Sequence, residues 1–213
     1  MTGRLRIACG QALVMLAMLL GGCAVSVPPP VVIEPRPALF TSPASAGVPK
    51  TAGRVAVWLV PDAQTGKTAV YPGMLLATGP MVEQALLRAL DDGLLGGATR
   101  VAELPPPGSG FGATLQLRWV HLELRTYTLP PRTVALDFEL ALSDGAGRRV
   151  WSRTYHDDRD YAFGERLALT SMGETAFDSE IRQAHEAVWR LAQQVLRDVR
   201  GWLETERLRP REL

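Results

Sequence analysis

Apolar and polar residues alternate most cleanly from Val134 to Leu142, where Val134, Leu136, Phe138, Leu140 and Leu142 are interleaved with Ala135, Asp137, Glu139 and Ala141. A period of two over this length predicts a β-strand with one dry and one wet face. Within residues 114–128, Leu115, Leu117 and Trp119 occupy odd positions, after which Leu122 and Leu124 continue on even ones. A change of parity without a break predicts a β-bulge near Trp119 to His121. Pro130-Pro131 turns the chain between these two strands. Beyond the second, Ser143-Asp144-Gly145-Ala146-Gly147 predicts a hairpin into a third strand, Arg148 to Tyr155, with Asp144-Gly145 supplying the left-handed geometry of a tight turn.

The flanking patterns add helices and shorter strands. Arg54 to Val60 is β-branched, short and stopped by Pro61-Asp62, which reads as a buried strand, and residues 61–73 read as a polar loop. Val82, Leu86, Leu87 and Leu90 give a helix from Gly79 to Asp92 one apolar face, with Pro80 in its first turn and Gly93 near its end. A strand from Thr99 to Leu104 runs into the loop Pro105-Pro106-Pro107-Gly108-Ser109-Gly110. Residues 156–178 carry little pattern. The longest helix then starts at Asp178-Ser179, either of which suits an N-cap, and carries Ile181, Ala184, Val188, Leu191, Val195, Val199 and Trp202 on one stripe. The sum is an α+β single domain over residues 54–206: a mostly antiparallel four- or five-stranded sheet with two helices packed on one face, followed by a tail at 207–213. Two small units split at the proline loop are the alternative, but neither half holds enough periodic apolar segments to close a core.

The N-terminus is of another kind. Arg4 and Arg6 precede a stretch that is apolar or small, Gln11 excepted, up to Gly22. Its apolar part, Ile7 to Leu20, is shorter than the ~20 residues that cross a bilayer, so the segment reads as a signal peptide, residues 1–22. It ends in Leu19-Leu20-Gly21-Gly22-Cys23, which resembles the bacterial lipobox. The resemblance implies that Cys23 is acylated and becomes the mature N-terminus; an ordinary signal peptide with an incidental cysteine is the other reading. Acylation implies a palmitate-bearing anchor in a membrane facing the periplasm, since two or more chains hold stably where one does not. Ala24 stands where an Asp is the familiar inner-membrane retention signal, so the resemblance points to the outer membrane. From residue 23 to 53 the chain is rich in proline, including Pro28-Pro29-Pro30, Pro35, Pro37, Pro43 and Pro49, and reads as a semi-extended tether. Val31-Val32-Ile33 could instead pair as an edge strand, which flanking prolines permit.

Cysteine count and charge narrow the chemistry. The two cysteines are Cys9, in the signal segment, and Cys23, which by the lipobox resemblance would be consumed by lipid, so no disulfide is expected within the mature chain. Loss of Arg4 and Arg6 takes the 23 basic residues to 21 against 22 acidic ones. A mature chain with a formal charge near zero argues against nucleic acid as a partner, since phosphate binding needs a net basic face or stripe.

Motifs for catalysis dissolve on inspection. Thr65-Gly66-Lys67-Thr68 has Pro61 where a phosphate-binding loop needs its first glycine, and Gly108-Ser109-Gly110-Phe111-Gly112 lacks dinucleotide-fingerprint spacing. His156-Asp157-Asp158 with Asp160 matches no calcium or zinc spacing and reads as a solvated strand end offset by Arg153 and Arg159. His121 and His185 have no acidic or cysteine partner at triad spacing, and no nucleophile elbow is found. Trp58, Trp119, Trp151, Trp189 and Trp202 are spread through separate elements and read as core rather than a ligand cage, with Trp189, off the main helix stripe, the candidate for exposure. No catalytic residue, metal or cofactor is expected, and the chain reads as a non-enzyme.

The order of features is lipobox, Pro-rich tether, strand, helix, antiparallel strands with Asp144-Gly145 before Arg149-Val150-Trp151, and a final helix Ala184 to Leu203. It resembles small periplasmic lipoproteins: auxiliary lipoproteins of ABC-type lipid transport systems and the lipopolysaccharide-assembly lipoprotein LptE. The resemblance implies a non-enzymatic binding or scaffolding subunit of a cell-envelope complex, attached to the membrane by its acyl chains and to an envelope protein partner. Activation of a cell-wall synthase, which also calls for a long tether, and an enzyme with no recognisable motif are the alternatives. The candidate docking residues are Trp151, Arg153 and Tyr155, which alternate on one side of a strand predicted to be last in the meander, where β-augmentation is open. The competing reading places Trp151 and Tyr155 in the core.

Overall fold

A central strand with parallel neighbours on both sides organises the chain. The computed structural model describes residues 28–40, 49–71, 73–125, 132–161 and 176–208. The signal segment, Cys23, the Pro130-Pro131 turn and residues 209–213 lie outside the described residues. Residues Val31–Leu213 form one compact unit. The strands are β1 (Val31–Ile33), β2 (Val55–Leu59), β3 (Lys67–Tyr71), β4 (Met74–Ala77), β5 (Ala98–Val101), β6 (Ala113–Arg125), β7 (Arg132–Asp144) and β8 (Arg149–Tyr161). The helices are α1 (Pro61–Gln64), α2 (Thr78–Gly93) and α3 (Ala176–Leu208).

Five strands form the main sheet in the order β5-β2-β6-β7-β8. Its pairings are mixed: β2 runs parallel to both β5 and β6, while β6–β7 and β7–β8 are antiparallel. Because β2 is enclosed by neighbours, four of its five residues are buried, which explains why it reads as a continuous apolar run rather than an alternation. Helices α2 and α3 pack on each other and on one face of this sheet, α2 against β2, β5 and β6 and α3 against β7 and β8. The predicted α3 stripe is buried from Ile181 to Val199, with Trp202 partly covered. Both proposed caps fall inside α3, since the helix begins at Ala176. The predicted hairpin forms, but its left-handed residue is Gly147 (φ 80°) rather than Gly145. Asp144 Oδ1 instead accepts the backbone N–H groups of Ala146 and Arg148 at 3.0 and 2.9 Å.

A second sheet, β1-β4-β3, corrects the expected polar loop at 61–73, which contains α1 and β3. In Lys67–Val70 only Val70 is buried, so one core contact leaves no periodicity to detect. The tether expected over residues 23–53 is also shorter than predicted. Val31, Val32 and Ile33 pair in parallel with Met74, Leu75 and Leu76, the edge-strand alternative that Pro30 and Pro35 allow. Phe40 is 2% exposed, and Thr51 bridges to Leu94.

His185 of α3 holds this N-terminal arm. It is fully buried, and its Nδ1 lies 2.7 Å from the Ile181 carbonyl. A carbonyl only accepts, so Nδ1 carries the proton and bare Nε2 accepts the Arg36 backbone N–H at 3.0 Å. Phe40 lies between His185 and Trp189, at ring-centroid distances of 5.2 and 6.0 Å. Burial, aided by the nearby Arg36 charge and opposed by the Ile181 hydrogen bond, holds the His185 pKa below its ordinary value. The unfolded chain therefore takes up a proton below about pH 6.5 that the native state refuses, so stability falls as pH drops through that point. Urea unfolding at pH 7.5 and 5.5 should show this loss in the wild type and a smaller one in His185→Gln. His156 acts in the opposite sense: Asp137 raises its pKa, so its contribution is present at low pH and fades as pH rises through the raised value. It is present in both proteins and cancels in the comparison.

Candidate functional site

The helices leave the other face of the β6-β7-β8 meander to solvent, and a bulge decides what that face displays. The register shifts between Leu117 and Trp119, so Leu117 opposes Leu140, Trp119 opposes Glu139 and Val120 opposes Phe138. The core stripe thus runs Leu115, Leu117, Val120, Leu122 and Leu124, with Arg118 at the irregularity. Trp119, expected among the odd-numbered core residues, is turned to the open face and is 38% exposed. The parity change was visible in the sequence, but its position was not: placing it one residue earlier puts Trp119 outside.

Trp119 is held in place. Its indole Nε1 donates to Glu139 Oε2 at 2.9 Å, while Glu139 Oε1 accepts from Arg118 Nη1 at 3.1 Å and from the Ser152 hydroxyl at 2.7 Å. The Ser152 hydroxyl, with Trp119 and Arg118 behind it, keeps the Glu139 carboxyl below its ordinary pKa, so it stays an acceptor. One row further, His121, Asp137 and His156 sit opposite one another across three strands. His156 Nδ1 is 2.6 Å from Asp137 Oδ1, and Ala135 and Ala141 flank this ridge on β7. The result is an oriented indole among fixed polar groups, with low side-chain entropy left to lose on binding.

The sequence-predicted trio lies elsewhere. Trp151, Arg153 and Tyr155 share the helix-facing side of β8, opposite Leu142, Leu140 and Phe138. Tyr155 is 3% exposed, its ring 5.4 Å from Phe138 and its hydroxyl donating to Asp198 Oδ2 at 2.8 Å. Burial, with the Asp198 contact added, drives its pKa far above the ordinary phenol value. Arg153 Nη1 donates to the same Asp198 oxygen at 2.9 Å, and its guanidinium sits 5.2 Å from the Trp151 ring centroid. Trp151 is partly buried against the core. Arg153 and Tyr155 clamp β8 to α3, and of the three residues Arg153 alone presents substantial surface. Strand β8 is last in the sheet, as expected, and its outer edge has no paired strand among the described residues.

The His156-Asp157-Asp158 run cannot converge on one ion because β8 sends alternate residues to opposite faces. Asp157 pairs with Arg190 of α3, while His156 and Asp158 face solvent. Among the described residues no group of three His, Cys, Asp or Glu side chains could hold a metal. Lys67 and Thr68 of the rejected phosphate-loop match lie in β3, so a strand and not a helix opens there. Among the described residues no helix is long and apolar enough to cross a membrane.

The fold defines an α+β class in which a mixed five-stranded sheet carries two helices on one face. It is similar to protein XCC0632 from Xanthomonas campestris, of family-model DUF330, with a TM-score of 0.53 and 14% identity over 83% of this chain and 99% of that one. The hypothetical protein CT253 from Chlamydia trachomatis gives 0.45 at 14% identity over 72% and 98%. A minor lipoprotein from Acinetobacter baumannii gives 0.40 at 14% identity over 72% and 94%. At these identities the likeness to XCC0632 shows the fold alone. No family model matches the sequence, and no curated protein matches it.

Proposed function

We propose that the protein is a lipid-anchored, periplasm-facing binding subunit of a cell-envelope complex, held at the outer membrane through acylated Cys23 and serving lipid or lipopolysaccharide transport or assembly. The Leu19 to Cys23 segment supports the anchor, and the order of elements supports the setting. The observation that carries the binding role is Trp119: an aromatic side chain fixed by a hydrogen bond to Glu139 on a solvent-facing sheet. Exposed aromatics in rigid settings are the residues on which binding energy concentrates. A cell-wall synthase activator fits less well, because only residues 24–30 separate Cys23 from β1. At no more than ~3.5 Å per residue, those seven residues reach about 25 Å.

The test is recovery of partners from detergent-solubilised envelopes with the acylated mature chain as bait. Trp119→Ala should keep the wild-type thermal midpoint to within a few degrees, as surface changes do, and lose the proteins that the wild type retains. Unchanged recovery by this variant would remove the open face from the account.

A further inference from the structure

The N-terminal arm, Pro28 to Phe40, is attached to the domain by few contacts, and one of them titrates. Strand β1 adds three residues to β4, which keeps β3 as a partner on its other edge. Val31 is 60% exposed, Val32 and Ile33 are half-buried, and Pro35 and Phe40 are the arm's buried side chains. A segment with so little buried surface opens at lower cost than the domain around it unfolds. Beyond the arm the chain is fixed again, where Arg200 donates to the Pro49 carbonyl at 3.0 Å and the Lys50 ammonium to the Asp91 carbonyl at 2.8 Å.

The titrating contact is the His185 ring. With the arm closed its Nε2 has to be bare, because it accepts the Arg36 backbone N–H while Nδ1 is committed to the Ile181 carbonyl. A second proton on the ring would meet the Arg36 N–H donor to donor, and the fully buried ring offers that proton no solvent. Arg36, on the arm, is a charge that opposes protonation. Asp178 on α3 is paired with Arg36 at 3.4 Å, Asp157 of β8 is paired with Arg190, and Glu34 of the arm is exposed. Glu180 and Arg182 of α3 are engaged in contacts of their own. The closed arm therefore holds the ring neutral, and an open arm leaves it free to take a proton from water.

We propose that residues 31–40 form a proton-released strap: a proton taken up at His185 Nε2 detaches the arm from α3 and lengthens the chain between Cys23 and the domain. The closed strap leaves residues 24–30 to span that gap, and the open one leaves residues 24–48. At ~3.5 Å per residue, the limit of reach rises from about 25 Å to about 90 Å. Acid thus lets the domain stand further from the membrane. This consequence rests on the proposed anchor at Cys23, whereas release of the strap does not.

The test uses the mature chain carrying Cys23→Ser, so that failure of the strap and failure of the anchor are read separately. Amide exchange at Val31, whose N–H donates to the Gly73 carbonyl, and at Arg36 reports the strap. Leu136 and Phe138 in β7 report the whole domain. Protection is compared at pH 7.5 and 5.5 after correction for the intrinsic pH dependence of exchange. The strap amides should be less protected than those of β7 at both values. At pH 5.5 their protection should fall by up to about tenfold, the ratio set by one ring that titrates near pH 6.5 only when the arm is open. His185→Gln should abolish that fall, because its carboxamide can accept the Arg36 N–H and donate to Ile181 without titrating. NMR of the His185 ring nitrogens in the otherwise unchanged chain gives a second reading should His185→Gln fold poorly, and it should show a bare Nε2 at pH 7.5. The inference is overturned by strap amides as protected as those of β7, by strap protection that does not change with pH, by a pH-dependent fall that persists in His185→Gln, or by a ring that carries its proton on Nε2.

Discussion

Replacing Gly79 by alanine should destabilise the protein by about 3 kcal/mol or more, at the upper end of what overpacking costs. An added Cβ would lie 1.8 Å from the Ala63 carbonyl oxygen and 2.9 Å from its carbon. Both are backbone atoms of α1, so no side-chain rotation relieves the clash. The contact is fixed from the other side as well, because the Gly66 carbonyl accepts the N–H groups of Thr78 and Gly79 at 3.0 and 3.3 Å. Relief requires α1 to separate from the start of α2, and the buried Ala63 side chain would lose its packing with it. Gly201 of α3 is the internal control. Nothing lies within 4 Å of a Cβ built there, and alanine in a helix interior should gain about 1 kcal/mol over glycine. Urea denaturation of the two variants should move the midpoint in opposite directions. A Gly79→Ala protein as stable as the wild type would show that α1 does not pack on α2 in this way.

The second large effect belongs to Phe138. It is fully buried in β7, between β6 and β8, and its ring stacks on Tyr155 at 5.4 Å. Truncation to alanine removes a ring from the junction of sheet and helix layers and should cost about 3–5 kcal/mol. It should also loosen the clamp that Tyr155 and Arg153 make with Asp198. Amide exchange in β8 should then rise more than exchange in β2, which lies two strands away. Equal acceleration in both strands would mean that the meander and the parallel pair open as one unit.

The parts of this fold that were legible in the sequence are those with long periods. Strand β7 shows five core residues in strict alternation, and α3 carries seven stripe positions, so both were readable in place. What failed was short or depended on partners far along the chain. Strand β3 has one buried residue over Lys67–Val70, and β1 spans three residues between prolines; each forms only because β4 lies between them. Direction of pairing is a further gap, since alternation is the same whether a neighbour runs parallel or antiparallel. The site followed the same rule. The strand carrying Trp151, Arg153 and Tyr155 was placed at the sheet edge, but which face meets α3 depends on a helix some 40 residues on, whose Asp198 draws Arg153 and Tyr155 inward. Trp119 was hidden by a single-residue uncertainty in the bulge, and such a shift reverses the face of every residue beyond it.

The proposed anchor at Cys23 is open to one direct measurement. The wild type and Cys23→Ser should be expressed in a bacterial host, the envelopes fractionated, and the N-terminal peptide of each analysed by mass spectrometry. The wild type should cosediment with outer membranes and yield a peptide that begins at Cys23 and carries acyl chains. Cys23→Ser should yield no lipid adduct and a product released from the membrane. A wild-type peptide without lipid, or a Cys23→Ser protein as firmly membrane-bound as the wild type, would contradict the account.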